Sequence, residues 1–132
     1  MIVPDPDPLT QAYWDGAKEQ RLLLQRCASC SNVWHPPAPA CNGCGAVDYR
    51  WQQARGTGSV HSFIVVRESP DPWVAQRVPL VVALVRLDDG PLIITNLVDC
   101  EPDAARVSMR VELCWEELAP GVVLPQFTPS DR

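Results

Sequence analysis

Apolar residues in this chain come in short runs cut by proline and glycine, a pattern of β-strands rather than long helices. One exception lies near the start. Residues 11–19 read as a short helix that Thr10 is placed to cap, since its hydroxyl can accept a free first-turn N–H. Tyr13 and Trp14 make that helix unusually aromatic, either as core packing or as a docking face for another chain. Residues 22–24 form a short strand leading toward Cys27, and Tyr49–Gln53 leaves the cysteine-rich stretch as another. Gly56 and Gly58 mark a boundary or a bulge. Beyond them, residues 60–66 are an apolar strand, 69–79 a loop, Leu80–Leu87 a second strand, and Asp89-Gly90 a tight turn. Leu92–Leu97 pairs back, residues 101–107 form a short irregular or helical link, and 110–115 and 122–127 supply the last strands. Five short strands around a central hairpin predict a small OB-type barrel, with an SH3-like barrel as the main competitor. The expected fold is mainly β: an arm and helix over 1–20, a ribbon over 21–54 and the barrel over 55–132.

Composition sharpens this picture. Of 132 residues, 46% are apolar and 20% charged, which places the chain among globular proteins. Fourteen prolines concentrate in loops, and residues 1–8 read as a flexible arm. No apolar run approaches the roughly 20 residues that span a bilayer. The acidic, proline-rich start lacks the basic-then-apolar order of a signal peptide. The expectation is a soluble cytoplasmic protein with no membrane contact.

The net charge of −5 is unevenly spread. Residues 21–67 hold Arg21, Arg26, Arg50, Arg55 and Arg67 against Asp48 alone, inside an otherwise acidic chain. That block is either a solvated scatter or an anion site near the cysteines. Nucleic acid is disfavoured as a partner, because phosphate neutralisation dominates such binding and the strands lack basic residues interleaved with aromatics.

The strongest signal is C-A-S-C, ten residues, then C-N-G-C. Zinc takes four thiolates at tetrahedral corners, and each CxxC turn delivers two. Cys27, Cys30, Cys41 and Cys44 therefore predict one structural zinc ion with no open position for water or substrate. His35, within the knot, reads as a surface histidine, and His61 as a satisfied strand histidine. Cys100 and Cys114 lack paired spacing and read as buried thiols. The chain shows no nucleophile–base pair, paired carboxylates or phosphate loop, so no catalytic residue is assigned.

Five segments in order carry a resemblance: RLLLQRCASC, PPAPACNGCG, GTGSVHSFIVV, PLVVALVRLDDGPLIITNL and LPQFTP. Together they resemble the zinc-ribbon/OB-fold family once catalogued only as a domain of unknown function. The resemblance implies a rubredoxin-like zinc ribbon followed by an OB barrel. It also implies a non-catalytic subunit that accompanies a thiolase-fold dimer acting on acyl-CoA, in some members during steroid side-chain degradation. The partner would be a thiolase or a lipid-transfer-protein-like aldolase, in a twofold heterotetramer. On that reading Arg55 and Arg67 are candidates for CoA phosphate, and Trp73 for an anchor at the barrel mouth rather than packing under its loop. Tyr13 and Trp14 are the candidate partner contacts. A free-standing acyl-CoA-binding module and a nucleic-acid-binding OB module are the alternatives. His35 and His61 depart from the family, where aromatic residues are common at both positions.

Overall fold

A computed structural model describes residues 3–130. Met1 and Ile2, the start of the expected arm, lie outside the described residues.

Helix α1 spans Gln11–Lys18, and its first turn is organised differently from expectation. Thr10 makes no side-chain cap. Instead the Asp7 carboxylate accepts from the Thr10 N–H at 2.8 Å, and the Asp7 N–H donates to the Thr10 hydroxyl at 3.1 Å. This is a reciprocal capping box, with Pro8 following the cap where its missing N–H costs nothing. Asp7 and Pro8 thus belong to the helix start, not to a free arm. The rest of the arm, through Val3, Pro4 and Pro6, lines a hollow with Trp14 and residues 120–123.

Strands β1 (Leu23–Cys27), β2 (Val33–Trp34) and β3 (Tyr49–Gln53) make a small antiparallel sheet with β1 in the middle. The two-residue β2 was not expected; it forms because the chain between the cysteine pairs folds back beside β1, setting Trp34 opposite Gln25.

The remaining strands are β4 (Thr57–Val66), β5 (Leu80–Leu87), β6 (Leu92–Leu97), β7 (Arg110–Ala119) and β8 (Val122–Pro129). They close into a barrel in the order β4-β5-β6-β8-β7, with β4 paired to β7. That closed order is the OB fold, not the SH3-like alternative. β5 and β6 match the expected bounds, while β4, β7 and β8 run longer because pairing extends beyond the apolar runs. The 69–79 loop contains a short helix, α2 (Pro72–Ala75), capped by the Asp71 carboxylate. Residues Pro102–Ala104 add one 3₁₀ turn in the link before β7. Gly58 lies where β4 crosses β5: a Cβ there would stand 2.5 Å from the Arg86 carbonyl oxygen, so only glycine fits without movement.

Inward positions alternate along the strands, and Val60, Val85, Val111 and Phe127 are at most 1% exposed. The core does not stop at the barrel wall. Tyr13, Leu22, Leu24 and Ala54 belong to the same buried cluster, so helix, ribbon and barrel share one apolar interior.

Candidate metal centre and its surroundings

Cys27 ends β1, Cys30 follows in the next turn, and Cys41 and Cys44 sit on a second turn of the same form. In each turn the backbone N–H groups point at the first sulfur. Ser29 and Cys30 donate to Cys27 Sγ, both at 3.4 Å. Gly43 and Cys44 donate to Cys41 Sγ at 3.3 and 3.4 Å, and the Asn32 side-chain amide adds a contact at 3.5 Å. These donors favour thiolate over thiol. The Cys30 N–H chiefly draws Cys27 below the usual thiol range. Burial opposes ionisation of Cys41, but the Cys44, Gly43 and Asn32 donors outweigh it and bring it to about 6.

All four sulfurs lie within 4.8 Å of one another. Cys27 to Cys44 and Cys30 to Cys41 are both 3.6 Å. Thiolates each about 2.3 Å from a zinc ion would be about 3.8 Å apart, so the donor set fits the ion. Crowding has an electrostatic cost as well. The Asn32 backbone N–H favours the Cys30 thiolate, yet the Cys41 and Cys44 sulfurs beside it push that thiol up to about 12. Four such groups ionise together only around a cation, and the ion they hold would be enclosed by sulfur, a structural role. Two cysteines are buried and two exposed, so the centre sits at the surface with one side against the protein.

What holds the turns in register was not visible beforehand. Gln25, fully buried on β1, reaches across to Ala38 with both ends of its amide: Nε2 donates to the Ala38 oxygen at 2.9 Å, and Oε1 accepts from the Ala38 N–H at 2.8 Å. The pair mimics a strand pairing and ties the loop between the cysteine pairs to the sheet. Trp34, 3% exposed, packs with Cys27 and Cys41, and its ring meets Tyr49 edge-on.

His35 is not a surface residue. It is half-buried, its ring 5.4 Å from that of Tyr13, and burial lowers its pKa to about 4. Position 35 therefore acts as an aromatic contact between ribbon and helix, which explains why an aromatic residue can stand there. Tyr13 is buried, and that burial raises its own pKa to about 12. Trp14 is half-exposed beside it, with the rings edge-to-face at 5.0 Å. His61, expected as a satisfied strand histidine, is exposed at the β4 irregularity between Val60 and Ser62. Cys100 and Cys114 are half-buried rather than buried, and burial raises both thiols.

The five arginines of the basic block do not converge. Arg26 and Arg50 are cross-strand neighbours on β1 and β3, while Arg55 and Arg67 stand just beyond opposite ends of β4. Both of the latter are exposed; the Arg55 N–H meets the Asp89 carboxylate, and Arg67 lies 4.0 Å from Asp103. Trp73 is the first helical residue after Pro72, half-buried, with the Arg77 guanidinium 3.7 Å over its ring. The pair borders a cleft of about 300 Å³ whose floor is Val81, Leu97 and Leu118 and whose polar wall includes Asn96, Glu116 and Gln126. This cleft opens where β6 and β8, parallel strands, share a single register pair, Leu97 with Phe127. Side chains bridge the seam: the Gln126 Oε1 accepts from the Asn96 N–H at 3.1 Å, and the Thr95 hydroxyl donates to the Pro125 oxygen at 3.0 Å.

Residues 14–49 match the family model for the ChsH2 rubredoxin-like zinc ribbon domain, and residues 51–116 match that for the ChsH2 C-terminal OB-fold domain. A solved structure, the Ltp2-ChsH2(DUF35) aldolase, contains a chain that superposes with a TM-score of 0.87 at 42% identity, covering 96% of this chain and 98% of that one. The chain belongs to the DUF35 family. As a DUF35 protein it carries the family's zinc ribbon, and the four-cysteine cluster is the place for its single ion. Two curated relatives extend the comparison. The probable enoyl-CoA hydratase alpha subunit of Thermomonospora curvata is 45% identical over 90% of this chain. The 3-oxo-4,17-pregnadiene-20-carboxyl-CoA hydratase alpha subunit of Mycobacterium tuberculosis is 33% identical over 87%. This DUF35 chain spans 37% and 36% of their lengths, about a third of each.

Proposed function

We propose that this DUF35 chain is a non-catalytic accessory subunit that docks on a thiolase-fold enzyme, of thiolase or aldolase type, and helps form its acyl-CoA site. One observation carries the reading: the chain matches, nearly end to end, the DUF35 component of a structure that bears the name of an aldolase assembly. The chemistry of the chain agrees. Its candidate metal site is enclosed by four sulfurs, and the described residues offer no nucleophile held by a base. The partner would supply the bond-breaking groups. A steroid side chain is the acyl group we favour, because one relative is named for a pregnadiene-carboxyl-CoA.

Within this proposal Trp73 and Arg77 stand where a second protein or an acyl chain reaches the barrel seam, and Tyr13 with Trp14 offers a second contact at the helix. Arg55 and Arg67 are too far apart along β4 to form one phosphate groove on this chain, so any CoA contact they make is completed by the partner. A thiolase-fold dimer presents two equivalent surfaces, which gives a twofold heterotetramer in the cytoplasm. A free-standing acyl-CoA-binding module is the second reading, favoured only by the cleft beneath Trp73. Co-expression with a thiolase-like enzyme from the same source distinguishes the two. One co-eluting complex, active only when assembled, is expected; acyl-CoA binding by the isolated chain with no co-elution would replace the subunit reading with the module.

A further inference from the structure

The outer surface of the barrel is divided. β7 carries Glu112 and Glu116 at its outward positions, the charged exterior usual for a solvated strand, with Glu117 also exposed toward the strand's end. The sheet of β4, β5 and β6 is different. Its inward positions are the buried ones, Val81, Ala83, Val85 and Leu87 on β5 and Ile93, Thr95 and Leu97 on β6. The alternate positions should then be polar if water covered them. Six of them are apolar instead, Ile64 and Val66 on β4, Leu80, Val82 and Leu84 on β5, and Ile94 on β6, with Ser62, Arg86 and Asn96 as the polar members around them. Register brings them together: Val66 pairs with Leu80, Ile64 with Val82, and Leu84 with Ile94. Ile94 is 76% exposed and Ile64 62%, among the most exposed large apolar side chains described. Between them lies a shallow hollow of about 270 Å³, floored by Val82 and Leu84. Among the described residues, Arg86 is the charged side chain on this face, at its edge.

Nothing in the described chain folds over it. The N-terminal arm lies against Trp14 and residues 120–123, and the far end of β8 returns to β7, where the Ser130 N–H meets the Arg110 oxygen. The barrel is closed, so this face offers side chains to a partner rather than a strand edge.

We infer that this apolar face of β4-β5-β6 is the surface on which the aldolase-type partner sits, an inference that rests on the accessory-subunit reading above. Two features select that occupant over a second copy of this chain. Six side chains are far fewer than the roughly 20–30 residues a side that a stable interface uses, so the covering surface must extend well past the patch. Extending it for a twofold pair would bring together two molecules each of net charge −5, which repel. A larger partner with an apolar centre and a basic rim meets both conditions. Ile64 and Ile94 would then be the central anchors, desolvated on binding and surrounded by less energetic contacts.

The test uses the full chain and the purified aldolase component of the matching Ltp2-ChsH2(DUF35) assembly. Affinity is read by titration calorimetry and complex size by light scattering. Because both isoleucines are largely exposed, Ile64→Glu with Ile94→Glu should leave the melting temperature and zinc content unchanged. The double variant should bind at least 100-fold more weakly, while Glu117→Lys on β7, outside this face, should stay within about twofold of the parent. Equal binding by parent and double variant overturns the face and leaves the partner reading standing. A parent that does not bind the aldolase overturns both. A parent that dimerises alone, with the dimer lost in the double variant, overturns the occupant and assigns the face to a second copy.

Discussion

A thiolate can hold zinc wherever two CxxC turns meet, so Cys27, Cys30, Cys41 and Cys44 declare themselves in the sequence. The residues that position them do not. Gln25 looks like any polar residue on a short strand, yet its amide carries both bonds that fix Ala38. Replacing it by alanine leaves the half-buried Ala38 N–H and carbonyl without these partners, at about 1 kcal/mol or more. The Gln25→Ala protein should keep its zinc but release it several-fold faster to a chelator, followed by absorbance of a zinc indicator. Cys27→Ser combined with Cys44→Ser should instead lose the ion, with metal analysis falling from about one zinc per chain to below one tenth. His35 shows the converse error of sequence reading: an ionisable residue next to prolines suggests solvent, whereas the ring packs on Tyr13. Its folded pKa of about 4 lies below the ordinary 6.5, so the unfolded chain binds the proton first as pH falls. The stability this contributes is complete above about pH 6.5 and declines as the pH drops toward 4, by at most about 3 kcal/mol. Urea unfolding of His35→Phe, compared with the parent across that window, should show a shallower dependence on pH.

Elements were legible where packing follows local pattern. β5 and β6 are nearly continuous apolar runs separated by the Asp89-Gly90 turn, so their limits are written in the chain. Strands β7 and β8 outrun their apolar cores because each is the other's pairing partner for most of its length, a non-local cause. Helix α2 hid inside S-P-D-P-W because it is four residues long, although Asp71 before Pro72 is a recognisable cap and N1 proline. The turn at Asp88 also does more than reverse the chain. Arg110 on β7 grips its carboxylate through two nitrogens, at 2.9 and 2.6 Å, and Thr57 on β4 donates to it. Arg110 chiefly, with Thr57, lowers that carboxyl to about 2. Asp88→Asn should lower stability by about 1 kcal/mol, because the pair is bidentate but solvent-facing. The loss should show as a reduced melting temperature with zinc content unchanged. Trp73 separates two roles for α2. If it anchors a partner, Trp73→Ala should weaken assembly at least tenfold with little change in melting temperature; a lower melting temperature with intact assembly would make it only a lid for the seam.

At the scale of the molecule, the order of helix, ribbon and barrel was readable from the cysteine spacing, the proline clusters and the strand count. The way the parts share an interior was not, because Leu22 and Leu24 sit in the ribbon's sequence and pack in the barrel's core. That continuity has a thermodynamic consequence. Parts that share one core unfold together, so occupancy of the sulfur cluster is felt by every strand. Free zinc acts as a ligand of the native state alone, and above its dissociation constant each tenfold rise adds about 1.4 kcal/mol to the stability of the whole chain. Scanning calorimetry should therefore record one transition, not two, whose midpoint climbs with the logarithm of buffered zinc. The barrel that makes no contact with the ion would in this way be held folded by the metal supply.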